Sequence, residues 1–368
     1  MKKTIASIPL FVTCLLLTSC NQETVIEHKE ETYLINKNID KFNIQGRYEI
    51  IDEAITCDWS GSAIEFSSNC EGTVSINVTS AQIGEPLTEE SGKYGLTMFS
   101  SFVDGKRTKN IVVDNETKDI ELATELENGL HNFKFVRQTN VYMSQAIINS
   151  ITLTGELIKT TPRDTLIEFI GDSYTTGYSL QGTTENGGYS TDLDDPLDAY
   201  AYQAALNLDS DFMLSAFSGA GFGNGYTSFT VPQVYDKQNY FRNQNKDFSP
   251  DRIPDLIVIN LGTNDVAQVG FNNTTAYKKG VQKLINETKD AYVDYVPLIF
   301  CTDETHENND QAITQAMSEF LPDVDYKMVT LTTNNHKNNY HPDATCGNLQ
   351  GKELASAIKE YLPAKFNK

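Results

Sequence analysis

Three short segments of this 368-residue chain carry side chains suited to covalent acyl chemistry. Gly171-Asp172-Ser173-Tyr174 directly follows the apolar run Leu166–Ile170. A serine at a strand end presents its hydroxyl to a crevice, and Gly171 permits a tight turn there. Gly262-Thr263-Asn264-Asp265 directly follows Leu256–Leu261. A carboxamide at that place can donate a hydrogen bond to an oxyanion. His341-Pro342 precedes the last helical stretch, and a histidine in such a loop can reach back over a sheet as general base. Each segment alone also reads plainly: a loop, an Asx cap opening a helix, a surface histidine. Their order and placement together point to an activated serine.

These residues need strands to carry them. After Lys159-Thr160-Thr161-Pro162-Arg163 the apolar runs are continuous: Leu166–Ile170, Phe212–Leu214, Leu256–Leu261, Pro297–Cys301 and Lys327–Leu331. Runs without alternation predict strands buried on both faces of a parallel sheet. Ala199–Leu208, Tyr277–Tyr292 and Gln350–Leu362 read as helices between them, with Leu354, Ile358 and Leu362 on one face. That alternation predicts a doubly wound α/β domain with its ligand at the carboxyl ends of the strands. Upstream, from Ile39 to Leu157, the pattern is short alternating strands: Ala63–Phe66, Thr73–Val78, Gly95–Val103, Ile111–Val113, His131–Val136 and Ile147–Leu153. Asp104-Gly105 is a hairpin turn between two of them. An antiparallel β-sandwich of jelly-roll type is expected there.

In order and placement the chemical segments resemble the SGNH hydrolases: nucleophilic serine first, glycine second, asparagine third, histidine last. The resemblance implies a three-layer, flavodoxin-like α/β fold and an oxyanion hole formed by the N–H of Ser173, a glycine N–H and Asn264. The glycine falls in Ser218-Gly219-Ala220-Gly221, and either Gly219 or Gly221 fits. Gly171 to Tyr178, Ser218 to Gly221 and Tyr340-His341-Pro342 further resemble carbohydrate esterase family two. Gly46-Arg47, Trp59-Ser60-Gly61-Ser62, Val103-Asp104-Gly105 and Gly129-Leu130-His131 resemble that family's jelly-roll domain. The organisation expected is 1–20 signal peptide, 21–37 tether, 38–158 all-β jelly-roll sandwich and 164–368 hydrolase domain. The activity implied is removal of acetyl groups from a carbohydrate, with Ser173 as nucleophile, His341 as base and no cofactor or metal. Asp172 follows the family pattern as a brace for the turn. Many SGNH hydrolases carry an aspartate three residues before the histidine; here Asn338 stands there. A Ser–His dyad is expected, with Asn338 in support. A lipase or thioesterase-like hydrolase on the same fold, and a non-catalytic glycan-binding surface protein, are the competing readings.

The remaining signals concern location and partners. Met1-Lys2-Lys3, the apolar Ile5–Leu17 and Leu17-Thr18-Ser19-Cys20 resemble a bacterial lipoprotein signal with Cys20 as the lipidated residue. An ordinary secretory signal or a short anchor is the alternative. An exported envelope protein held to the membrane by lipid alone is expected. The net charge of -21 disfavours nucleic acid and anionic membrane as partners. A neutral acetylated oligo- or polysaccharide fits that charge. Cys57–Cys70 and Cys301–Cys346 are possible disulfides, with four free thiols the equal alternative. His306 near Asp303 and Glu304, and His336, read as solvated loop residues rather than metal ligands. Tyr178, Tyr189 and Tyr226 are candidate sugar platforms or core residues. Trp59 reads as packing, and Asp192–Asp198 as a solvated loop lip.

Overall fold

The computed structural model describes residues 29–81, 96–182, 191–240, 247–269, 274–293, 295–303, 307–333 and 341–367. The segment expected to be a signal, with Cys20, lies outside them. The first half forms one antiparallel sheet from β1 (Glu30–Leu34), β2 (Asn43–Gln45), β3 (Glu49–Ile51), β4 (Ala54–Cys57), β5 (Ala63–Ala81), β6 (Leu96–Val103), β7 (Lys106–Asp114), β8 (Thr117–Arg137) and β9 (Gln145–Ile158). The order is β3-β4-β9-β5-β8-β6-β7, with β1 on β9 and β2 on β5. Alternation sets the inner face: Val74, Ile76 and Val78 of β5 are buried with Phe99, Phe135 and Ile151 in one core. The β6–β7 turn has φ of 51° at Asp104 and 76° at Gly105, the positive values a tight hairpin needs. The two strands expected at Ala63–Phe66 and Thr73–Val78 are one, because β5 continues through register shifts around Gly72.

Two expectations are corrected here. Glu30–Leu34, within the segment read as a tether, pairs with β9, and the following Ile35 is fully buried. An apolar residue with a place in the core anchors the chain where its acidic neighbours suggested solvent. The four described cysteines are free buried thiols. Cys57 on β4 and Cys70 on β5 are separated by the whole of β9, a gap of about 10 Å between strand axes. That exceeds the roughly 7 Å that a disulfide spans between α-carbons. Cys346 turns its sulfur to the Thr332 carbonyl at 3.6 Å rather than to Cys301.

The second half is a parallel sheet of β10 (Leu166–Gly171), β11 (Asp211–Ala216), β12 (Leu256–Asn260), β13 (Leu298–Asp303) and β14 (Tyr326–Leu331), in the order β11-β10-β12-β13-β14. Around it lie α1 (Ser173–Thr176), α2 (Tyr200–Asn207), α3 (Val231–Val234), α4 (Thr263–Val269), α5 (Thr274–Ala291), α6 (Glu307–Phe320), α7 (Ala344–Tyr361) and α8 (Pro363–Phe366). Ile257 and Ile259 of β12 join Val281 and Leu284 of α5 and Ile313 of α6 in one core. Val258, between them in sequence, faces the other way and joins Ala204 of α2 and Leu354 and Ile358 of α7. Three layers follow from that alternation.

The halves interlock. Trp59 and Val141 from the β-sandwich lie in the first α/β core, and Ala63 and Val136 in the second. Trp59 is packing, with its indole N–H donating to the Gln238 carbonyl at 3.1 Å. Arg47, fully buried, pairs with the buried Glu168 of β10 at 3.2 Å and lies 3.7 Å from the Phe248 ring centroid. Glu168 also accepts from the hydroxyls of Ser215, Tyr235 and Tyr292. A buried carboxylate so enclosed has partners for both oxygens.

Candidate active site

Ser173 opens α1 at the carboxyl end of β10, and His341 stands just before α7. Asp172 caps the short helix, accepting from the Tyr174 N–H at 3.1 Å. Gly171 is needed for space rather than for turn freedom, since a β-carbon there would lie 1.9 Å from the Thr175 hydroxyl. His341 Nε2 lies 2.8 Å from Ser173 Oγ, hydrogen-bond reach for a base and its nucleophile. The imidazole packs between Tyr174 and Tyr178, at centroid distances of 5.4 Å and 4.8 Å. Burial, with Asp303 and Asp172 nearby, raises the Tyr174 phenol above its ordinary value, so it stays neutral. Asp343 is occupied as the cap of α7, accepting from the Cys346 N–H at 2.8 Å.

Asn264, at the start of α4, ties the nucleophile turn to the loop after β11. Its amide nitrogen donates to Asp172 Oδ2 at 3.0 Å and to the Ala220 carbonyl at 2.9 Å. Both amide hydrogens are therefore engaged, and an oxyanion would have to share or displace one of these acceptors. The next residue, Asp265, holds the same loop. Its carboxylate accepts from the N–H groups of Phe222, Gly223 and Asn224, each at 2.8 Å. Burial raises its pKa above the ordinary carboxylate value, and the three N–H donors oppose that shift.

Gly219 and Gly221 differ in their backbone surroundings. The Gly221 carbonyl accepts from Val231 at 3.0 Å. In the antiparallel bridge Ala220↔Gly225, the Tyr226 N–H takes the Gly219 carbonyl at 2.7 Å, and the matching rung belongs to the Gly221 N–H. Gly219, with φ of 84°, is the glycine whose N–H has no partner among the described residues.

Residues 169–361, more than half of the chain, match the GDSL-like Lipase/Acylhydrolase family. The chain belongs to that family. Residues 44–162 match the carbohydrate esterase 2 N-terminal family. The chain is 29% identical over 262 residues to the cellulase/esterase CelE of Acetivibrio thermocellus, covering 70% of this chain and 30% of that one. The chain thus spans under a third of that relative. A family two carbohydrate esterase from Clostridium thermocellum in complex with cellohexaose is similar in structure, with a TM-score of 0.77 and 22% identity, covering 88% of this chain and 99% of that one. An acetyl xylan esterase from the rumen bacterium Butyrivibrio proteoclasticus gives a TM-score of 0.80 at 16% identity, covering 91% and 99%. At these identities the two structures establish the shared fold.

The other candidate residues sort by position. Asn338, His336, His306 and Tyr189 lie outside the described residues. Tyr178 is half-buried against His341, while Tyr226 is 64% exposed beside Gly219. Asp192–Asp198 is not a solvated lip, for Asp194 and Asp195 are each 1% exposed. Their carboxylates are drawn inside by Asn140, Gln181 and Arg107. No group of metal-ligating side chains forms among the described residues. Asp265 went unrecognised as a loop clamp. The signal was available: glycines at 219, 221, 223 and 225 make a backbone able to wrap a carboxylate, next to an acid with no other task.

Proposed function

We propose that this acylhydrolase removes acetyl groups from a carbohydrate ester through an acetyl-enzyme intermediate. The observation that carries the reading is the 2.8 Å contact between Ser173 Oγ and His341 Nε2. Ser173 Oγ attacks the acetyl carbonyl as His341 takes its proton. The carbon–oxygen bond to the sugar then breaks, and His341 returns the proton to the departing alkoxide. Water, deprotonated by His341, hydrolyses the acetyl-enzyme to acetate and free serine. The N–H groups of Ser173 and Gly219 receive the oxyanion, joined by Asn264 when its amide exchanges a partner. Loss of one such donor costs about a hundred- to a thousandfold in rate. Asn338, being neutral, can orient His341 but stabilises its charged form less than a carboxylate would. Its removal is therefore expected to cost far less than removal of His341.

Among the described residues a small depression of about 10 Å³ lies beside Ser173, Tyr178 and His341. The larger cleft of about 670 Å³ contains neither catalytic residue. The β-rich half resembling carbohydrate esterases favours a glycan over a lipid ester. The test is acetate release from acetylated xylo- and manno-oligosaccharides by the protein and by Ser173→Ala. Release by the parent alone is expected; release by neither folded protein sinks the reading. Lipid anchoring through Cys20 belongs to the same proposal. Mass spectrometry of the mature N-terminus tests it, and an unmodified Cys20 or a retained segment before it overturns it.

A further inference from the structure

The wall of the acyl site is held from the other half of the molecule. Gly177 to Gln181 follows α1, and Tyr178 in it packs on His341 at 4.8 Å. This stretch is hydrogen-bonded repeatedly to the Asp192–Asp198 segment, the Gln181 amide reaching Asp198 Oδ2 at 2.8 Å among other contacts. Ser179 N–H donates to Asp194 Oδ1 at 3.0 Å, and Asp195 N–H to the Gly177 carbonyl at 2.9 Å. Gln181 N–H donates to the Leu193 carbonyl at 2.9 Å, and its side-chain amide to Asp195 Oδ2 at 2.9 Å. The approach is close enough that a β-carbon at Gly177 would lie 2.2 Å from the Asp195 carbonyl oxygen. Two β-sandwich residues then grip the same acids. Arg107 of β7 reaches Asp195 Oδ2 at 2.9 Å and Asp198 Oδ2 at 3.8 Å. Asn140, in the turn between β8 and β9, donates to Asp194 Oδ2 at 2.5 Å.

The physical logic runs one way. Carboxylates buried to 1% exposure must be neutralised or fully hydrogen-bonded. Asp194 and Asp195 can stay inside only with donors from both sides. Each therefore bridges a β-sandwich side chain to the acyl-site wall. Removing the β-sandwich donor leaves a buried charge short of a partner, and the segment would move outward to water, taking Tyr178 with it.

We propose that the β-sandwich is a working part of the active site, with Arg107 and Asn140 as positioning residues that hold the Gly177–Gln181 wall against His341. The proposal rests on Ser173 and His341 being the reacting pair. Its measurements use the full chain with Arg107→Gln, Arg107→Lys and Gln181→Leu, and Lys118→Gln at an exposed sandwich ion pair as control. The primary readout is the rate at which an aryl fluorophosphonate labels Ser173. In that step Oγ bonds to phosphorus, the P–F bond breaks, fluoride leaves and His341 takes the proton, so no carbohydrate is needed. Acetate release and the pH profile of labelling are measured beside it.

The expected result is labelling slowed by about ten- to a hundredfold in Arg107→Gln, with a shifted pH profile, in a variant whose melting midpoint is lowered but which stays folded at the assay temperature. Arg107→Lys should recover part of the rate and Lys118→Gln all of it. Labelling of folded Arg107→Gln at the parent rate overturns the proposal. Should Arg107→Gln not fold, Gln181→Leu decides at an exposed position: slowed labelling supports the clamp, the parent rate overturns it. A parent that labels but releases no acetate sinks the deacetylase reading and leaves the clamp to the labelling rates. A parent that does not label overturns both.

Discussion

The Asp265 carboxylate fills the volume that a side chain at Gly221 would need: its Oδ2 lies 2.1 Å from where that β-carbon would sit. The glycine in the loop motif and the acid after Asn264 are therefore one device. Gly221→Ala is expected to destabilise the protein by about 1–3 kcal/mol, as overpacking at a fixed site does. Asp265→Asn keeps the shape but sets an amide donor against at least one of three N–H groups. It should cost about 1–3 kcal/mol and lower kcat more than it raises KM. Urea unfolding and steady-state kinetics check both. An Asp265→Asn enzyme with parental kcat would show that the loop needs no clamp.

The legibility of this site in the sequence had a physical limit. Ser173, Asn264 and His341 were readable because each follows or precedes an element with its own pattern: two apolar runs and an amphipathic helix. The strands at Leu166–Ile170 and Leu256–Leu261 announced themselves because both faces are covered. Helix α6 was missed, for its buried Ala312, Ile313, Ala316 and Met317 form a narrow, alanine-rich stripe. The acids at 194 and 195 were misread for a related reason. Their partners, Asn140 and Arg107, come from a distant part of the chain, and sequence position carries no trace of that neighbour. Spacing in the sequence cannot show that the Asp265 carboxylate occupies the flank of Gly221.

A pH dependence follows from Glu65 of β5, which faces Lys134 at 2.9 Å and Arg163 at 3.0 Å. Burial works to raise its pKa, but Lys134, Arg163 and the Asn43 amide outweigh that and hold the carboxyl below the ordinary 4.5. Burial lowers Lys134 despite Glu65, so the benefit is unequally shared and the carboxylate side is the firmer guide. A depressed carboxyl contributes stability that is present above pH 4.5 and lost as pH falls through the lower folded value. Glu65→Gln should therefore cost about 3 kcal/mol at pH 7, with the deficit shrinking once pH drops below 4.5. Urea midpoints of parent and variant at descending pH test this. A deficit that stays constant into strong acid would assign the loss to packing instead of charge.

Asn264→Asp isolates the electrostatics of the link between the Asp172–Ser173 turn and the loop after β11. The carboxamide nitrogen it replaces lies 3.0 Å from Asp172 Oδ2 and 2.9 Å from the Ala220 carbonyl. A carboxylate there faces another carboxylate and a carbonyl oxygen with no hydrogen to give either. One of the two acids must then take a proton at a raised pKa, as paired carboxyls do. Protonated, the new side chain regains one donor and can rebuild one of the two contacts. The variant should therefore be most stable at low pH and lose stability as pH rises through that raised value. Asn264→Ala, which carries no charge, should show no such slope relative to the parent. Activity at pH 7 is expected to fall about a hundredfold or more in both. Melting midpoints of the two variants compared at pH 5 and pH 8 give the answer. Equal midpoints for Asn264→Asp at the two pH values would mean that Asp172 does not face position 264 as a charged group.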